Sequence, residues 1–124
     1  MGRIFGIGTD ILEISRFEKV NIGRMSKRIL TSLEFTDFEK SQNKSLFLAK
    51  KFSMKESIAK AFGVGIGARL SFSDIEISKN INGKPICHIK NGKELELTKS
   101  KVAINITSSD TKTLISTQCV IEII

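Results

Sequence analysis

The run from Ser45 to Phe62, the longest helical stretch in the sequence, stops abruptly against Gly63-Val-Gly-Ile-Gly67. Three glycines in five residues cost too much backbone entropy for the helix to continue, so one long helix followed by a glycine-rich loop frames whatever this chain folds into. On a helical wheel Leu48, Phe52, Ala59 and Phe62 make one apolar arc, with Ser53, Glu56 and Lys60 as a polar stripe beside it. Lys51 and Lys55 interrupt this pattern. They are four apart on one face, inside or against the apolar arc, where like charges repel and bury poorly. Either both lysines snorkel to water while Glu56 pairs with Lys60 at i,i+4, or something anionic relieves them. The glycine loop fits the second reading, because glycine lets backbone N–H groups approach phosphate oxygens closely.

Around this helix the segment Arg3 to Thr9 alternates small and branched apolar residues and predicts a buried strand. It ends at Thr9-Asp10, where a helix can begin, and Ile11, Ile14 and Phe17 follow at helical spacing. Thr31-Ser-Leu-Glu34 is a capping-box pattern that predicts a short helix from Ser32 towards Lys40. Phe72 to Ser78 alternates as a half-buried strand, Asn82-Gly83 supplies a hairpin-type turn before Ile86 to Ile89, and Asn91-Gly92 makes another turn. Lys93 to Thr98 fits strand or helix, whereas Val102 to Thr107 and Leu114 to Ile124 read as strands. Helices in the first half and strands in the second predict an α+β fold, a single domain over 1–124 with a mainly antiparallel sheet packed on the long helix and shorter ones.

At 124 residues the chain has the size of one domain, and its composition is neither disordered nor collagen-like. No apolar run approaches the roughly 20 residues that span a bilayer, and Met1 to Thr9 is too short for a signal peptide. The Met1-Gly2 start lacks a myristoylation signal, since Gly6 stands where Ser or Thr is needed. A cytoplasmic protein without a membrane partner is expected. Cys87 and Cys119, without a CxxC, give no disulfide framework or thiolate metal site and read as small core residues. The net charge of +7 favours an acidic partner. All eight aromatic residues are Phe, mostly at helical spacing among apolar neighbours, which fits packing better than base stacking and argues against single-stranded nucleic acid.

Two further features carry chemistry. Asp10, at the end of a buried strand, can serve as an N-cap or hold a cation. Mg²⁺ takes one or two protein carboxylates and fills its other positions with water and phosphate oxygens, so Asp10 and Glu56 would suffice. Arg16, Lys19, Arg24, Lys27 and Arg28, broken only by Glu18, form either a solvated helix face or a docking surface for an acidic partner.

Taken together, Gly6-Ile-Gly-Thr-Asp10-Ile, Phe52-Ser-Met-Lys55-Glu56-Ser-Ile-Ala-Lys60-Ala-Phe-Gly-Val-Gly65, Leu70-Ser-Phe-Ser-Asp74-Ile-Glu-Ile77 and Asn82-Gly-Lys-Pro85 resemble the holo-acyl-carrier-protein synthases, in that family's order and at about its spacing. The resemblance spans nearly the whole chain. It implies Mg²⁺-dependent transfer of 4′-phosphopantetheine from coenzyme A to a serine of acyl carrier protein, with release of adenosine 3′,5′-bisphosphate, in fatty acid biosynthesis. The implied metal ligands are Asp10 and Glu56, and the implied catalytic residues are Asp10, Glu56 and Lys60. Lys51, Lys55, Lys60, Gly63, Gly65, Pro85 and Ser108 fall at positions implied to bind coenzyme A, and Arg16, Arg24, Lys27 and Arg28 at positions implied to dock the carrier. Glu56, directly or through a water, would take the proton of the serine nucleophile. The family is homotrimeric with sites at subunit interfaces. This agrees with a radius of gyration of roughly 14 Å, too small to enclose an extended coenzyme A.

The sequence departs from the family in four places. Asn105-Ile-Thr-Ser108-Ser-Asp110 lacks the usual histidine, with Ser108 or Asp110 in its place, and the lone His88 sits in a strand elsewhere. Lys51 stands where arginine is common, which exchanges a bidentate phosphate fork for a point charge. Ser57 replaces alanine, and the segment between Asn91 and Lys101 is short. Alternative readings are a small basic nucleic-acid-binding protein, from the net charge, and an inactive coenzyme A-binding relative, from the missing histidine.

Overall fold

A computed structural model of the chain describes residues 3–124; the Met1-Gly2 start lies outside them. Strand β1 (Arg3–Glu13) leads into a short helix α1 (Ser15–Glu18), followed by α2 (Ile22–Ile29), α3 (Ser32–Lys40) and the long helix α4 (Lys44–Phe62). Strands β2 (Ile75–Lys79) and β3 (Pro85–Ile89), helix α5 (Lys93–Thr98) and strands β4 (Val102–Asp110) and β5 (Leu114–Ile123) complete the chain. The fold is α+β, and all its strand pairings are antiparallel. The strands divide into a three-stranded sheet, β1-β5-β4, and a separate hairpin, β2-β3.

Helix α4 lies between two apolar clusters. Ile58, Phe62, Ile75, Ile77, Cys119 and Ile121 pack along one side, and Phe17, Ile29, Phe38, Leu48, Phe72 and Ile115 along the other. The helix is consequently buried nearly all round, which the single arc of the wheel did not anticipate. It starts at Asn43, whose side chain accepts from the Leu46 N–H, and stops at Gly63, where a φ of 82° suits glycine. The capping box on α3 forms as expected. Thr31 accepts from the Glu34 N–H, and the Glu34 carboxylate accepts from the Thr31 N–H.

The predicted helix start at Asp10 is corrected. β1 continues through Glu13, with Asp10 opposite Thr117 of β5, so Asp10 is a mid-strand residue and not an N-cap. The branched residues Ile7, Thr9 and Ile11 favour this extended backbone, and the β5 ladder satisfies it. Alternation along β1 then sets two different faces. Ile7 and Ile11 are about 70% exposed (72% and 69%) on the outer side of the sheet, while Gly6 and Gly8 lie against α4. A Cβ on either glycine would come within 1.9 Å of a helix carbonyl oxygen, that of Ala61 or Ser57. The predicted strand from Phe72 is also shorter. Phe72–Asp74 forms a 3-10 turn because the Asp74 carboxylate accepts from the Ser71 N–H and hydroxyl at 2.8 and 2.9 Å, and the strand starts at Ile75. Lys93–Thr98 resolves as helix.

Candidate active site

Side chains on one strand face recur every second residue, so Asp10 follows Gly6 and Gly8 towards α4. Its Oδ2 accepts from Ser53 Oγ at 2.7 Å. Thr117 of β5 backs this contact: its Oγ1 is 3.0 Å from Ser53 Oγ and donates to the Ser53 carbonyl at 3.0 Å. Two turns along α4 from Ser53, Lys60 donates from Nζ to the Thr9 carbonyl at 3.0 Å and reaches Asp10 Oδ1 at 3.5 Å. Of the two readings of this helix, the one that pairs Glu56 with Lys60 is not the arrangement found: Lys60 pairs with Asp10 across the strand–helix contact.

Glu56 shares this neighbourhood. Burial pushes its carboxyl above the usual range, and the negative charge of Asp10 pushes it further, against the opposing charges of Lys60 and Arg16. A buried carboxyl raised in this way beside a second acidic group suits a divalent cation. Among the described residues there is no cluster of three or more His, Cys, Asp or Glu side chains that could hold a metal. The donor set is thus two hard carboxylates, which fits Mg²⁺ completed by water and phosphate and does not fit zinc.

A second group of predicted residues gathers in a cleft of about 260 Å³ between α4, the β2-β3 hairpin and β4, lined by Lys51, Met54, Ile77, Lys79, Pro85 and Ser108 among others. Lys51 is buried, its ammonium 5.0 Å from the centre of the Phe47 ring, and burial pulls its pKa below the usual lysine value. Ser108 faces the cleft, whereas Asp110 pairs with Lys50 at 3.7 Å. Gly63 and Gly65 sit at the C-terminal end of α4 and just beyond, both in left-handed backbone.

Lys55 is a correction. Its side chain is fully enclosed, and Nζ donates to Glu34 Oε1 and the Ile29 carbonyl at 2.7 Å each and to the Phe72 carbonyl at 3.0 Å. All three donors are used internally, so this lysine neither snorkels nor offers itself to a coenzyme A phosphate. Its partner Glu34 was legible as a capping-box residue but not as the interior counter-ion. The signal was present: a lysine in an apolar arc calls for a buried acid, and Glu34 stands among apolar helix positions.

Arg16 is exposed on α1, with its guanidinium 5.3 Å from the centre of the Phe52 ring and its charge felt by Glu56. Arg24, Lys27 and Arg28 are exposed along α2. Of the predicted basic residues, Arg16 is the one whose charge reaches the Glu56 carboxylate.

The family model described as 4′-phosphopantetheinyl transferase superfamily matches residues 6–115. The holo-acyl-carrier-protein synthase of Bacillus subtilis is 41% identical over 96% of both chains, and that of Shewanella piezotolerans is 48% identical over 67% of this chain and 70% of its own. Among solved structures, the holo-acyl-carrier-protein synthase of Neisseria meningitidis superposes with a TM-score of 0.88 at 32% identity, covering 96% of this chain and 98% of its own. The Bacillus anthracis enzyme, solved in complex with coenzyme A (3′,5′-ADP), superposes with a TM-score of 0.85 at 32% identity over 98% of each chain. With sequence and fold agreeing along almost the full length, the chain belongs to the 4′-phosphopantetheinyl transferase superfamily, among its holo-acyl-carrier-protein synthases.

Proposed function

We propose that this chain transfers 4′-phosphopantetheine from coenzyme A to a serine of an acyl carrier protein, releasing adenosine 3′,5′-bisphosphate, in the service of fatty acid biosynthesis in the cytoplasm. The observation that carries the reading is the meeting of Asp10 and Glu56, with Lys60 beside them, across the β1–α4 contact. Asp10 and Glu56 would hold Mg²⁺, which when bound offsets the negative charge that builds on the departing phosphate. Lys60 adds a fixed ammonium at the same place, already oriented by the Thr9 carbonyl. Glu56, with its carboxyl raised by burial and by Asp10, is poised to take the proton of the carrier serine.

Lys51 and Lys79 make the cleft electropositive, as the phosphates of coenzyme A require, and the coenzyme A complexes of the Bacillus anthracis and Helicobacter pylori relatives support the same ligand. Cleft and carboxylates occupy different stretches of α4. Nine residues separate Lys51 from Lys60, about 13 Å along the axis. A homotrimer in which one subunit supplies the carboxylates and its neighbour the cleft would let a single coenzyme A touch both. The exposed Ile4, Ile7 and Ile11 on the outer sheet face supply apolar area for such an assembly. The basic surface of Arg16, Arg24, Lys27 and Arg28 steers the acidic carrier, a contribution that salt weakens.

Incubation with apo carrier, coenzyme A and Mg²⁺ tests the reading: the carrier should gain the mass of one phosphopantetheine, and a carrier left unmodified across pH and salt would overturn it. Light scattering on the eluting protein should give three times the chain mass.

A further inference from the structure

We propose that the buried Glu34–Lys55 pair is a positioning pair for the transfer reaction, holding the rotation of α4, and with it the aim of Glu56 towards Asp10, relative to helix α2 and strand β2. The inference rests on the function proposed above. Lys55 immediately precedes Glu56, and with 3.6 residues per helical turn the direction of one side chain fixes the direction of the next. Three acceptors from three segments grip the ammonium: the Ile29 carbonyl at the end of α2, Glu34 on α3, and the Phe72 carbonyl ahead of β2. The other oxygen of Glu34 accepts from the Ile77 N–H of β2 at 2.7 Å.

One carboxylate and one ammonium therefore tie α4 to the end of α2, to α3 and to β2. Ile29 ends the helix that presents Arg24, Lys27 and Arg28, and Ile77 lines the cleft together with Lys51, Pro85 and Ser108. Stability alone does not call for a charge pair here, since well-packed apolar residues of similar volume commonly replace buried ion pairs at no loss. Apolar residues cannot reproduce directed hydrogen bonds to Ile29, Phe72 and Ile77. The pair is fully satisfied, as a network that specifies geometry must be.

The test separates geometry from stability. The double variant Glu34→Leu/Lys55→Met should lower the urea midpoint, since it leaves the Ile29 and Phe72 carbonyls and the Thr31 and Ile77 N–H groups without these partners. Where it is still folded by circular dichroism, it should show a lower kcat and bind Mn²⁺, measured calorimetrically without coenzyme A or carrier, about 10- to 100-fold more weakly. If the double variant does not fold, Lys55→Arg decides: it keeps the charge, but its planar fork cannot meet three converging acceptors, and the same two losses are expected. A folded variant with the parent's kcat and Mn²⁺ affinity overturns the inference. A parent that neither binds Mn²⁺ nor transfers overturns the functional reading, and this inference with it.

Discussion

The carbonyl oxygen of Ser57 stands 1.9 Å from where a Cβ on residue 8 would lie, so β1 and α4 touch main chain to main chain at Gly8. Gly8→Ala forces the strand off the helix. Overpacking of this kind costs about 1–3 kcal/mol or somewhat more, because the obstacle is backbone and cannot rotate away. Urea unfolding should show that loss. Transfer activity should fall as well, since Asp10 moves with the strand.

Asp10→Asn and Glu56→Gln should each abolish phosphopantetheine transfer while leaving the circular dichroism spectrum unchanged. In metal-free buffer Glu56→Gln should melt no lower than the parent, because it removes a carboxylate that burial and, after it, the Asp10 charge disfavour. Magnesium at about 100 times its Kd should stabilise the parent by about 2.7 kcal/mol and either variant far less. Thermal melts with and without Mg²⁺ check both statements.

Burial pushes the Cys87 and Cys119 thiols up to about 12. At pH 8 only roughly one thiol in ten thousand is then ionised, so labelling by a disulfide reagent should be slow until the protein unfolds. An unfolded thiol titrates near 8.5, so above that pH the unfolded chain has lost protons that the folded chain keeps. Stability from these groups is complete below pH 8.5 and is lost as the pH climbs towards 12. Urea midpoints should decline over that range, and less steeply for Cys119→Ala.

Burial raises the Asp74 carboxyl, but hydrogen bonds from Lys93 and Ser71 outweigh it and hold the group below the usual range. That contribution is present above the ordinary carboxylate pKa and is lost as the pH falls through the depressed value. Asp74→Asn should cost about 1 kcal/mol at pH 7, the size of a lost cap, and should make the acid transition less steep.

Lys51→Ala should raise the KM for coenzyme A more than it lowers kcat, because Lys51 lines the cleft at a distance from the carboxylates. Lys51→Arg should lower KM, as a planar fork engages phosphate at two oxygens. Steady-state kinetics with varied coenzyme A distinguishes the two effects.

Local signals could be read directly from the chain. The Thr31–Glu34 capping box, the Gly63 stop and the β-hairpin at Gly83 all depend on neighbours in sequence, and they stand where the pattern put them. Asp10 and Glu56 were legible as residues, though not the means that bring them together. The Asp10 backbone was misjudged because the ladder with Thr117 comes from a strand over a hundred residues away, and that ladder overrides the helical spacing of Ile11, Ile14 and Phe17. Lys55 was misread for a related reason: an ammonium in an apolar arc looks the same whether a ligand or an interior acid neutralises it, and only the fold brings Glu34 to 2.7 Å. Gly6, Gly8 and Asp10 did hold an unread clue, since two side-chain-free positions in step with a carboxylate announce a close approach.

That approach determines how far the centre can drift. Where two elements are held apart by leucines, a swap to methionine or valine alters the gap by a fraction of an ångström, and any polar group straddling it goes out of true. Along Gly6 and Gly8 no such padding exists, so the spacing between strand and helix is the thickness of polypeptide itself. Apolar side chains elsewhere in the interior can therefore change over evolutionary time without resetting the distance between this strand and this helix.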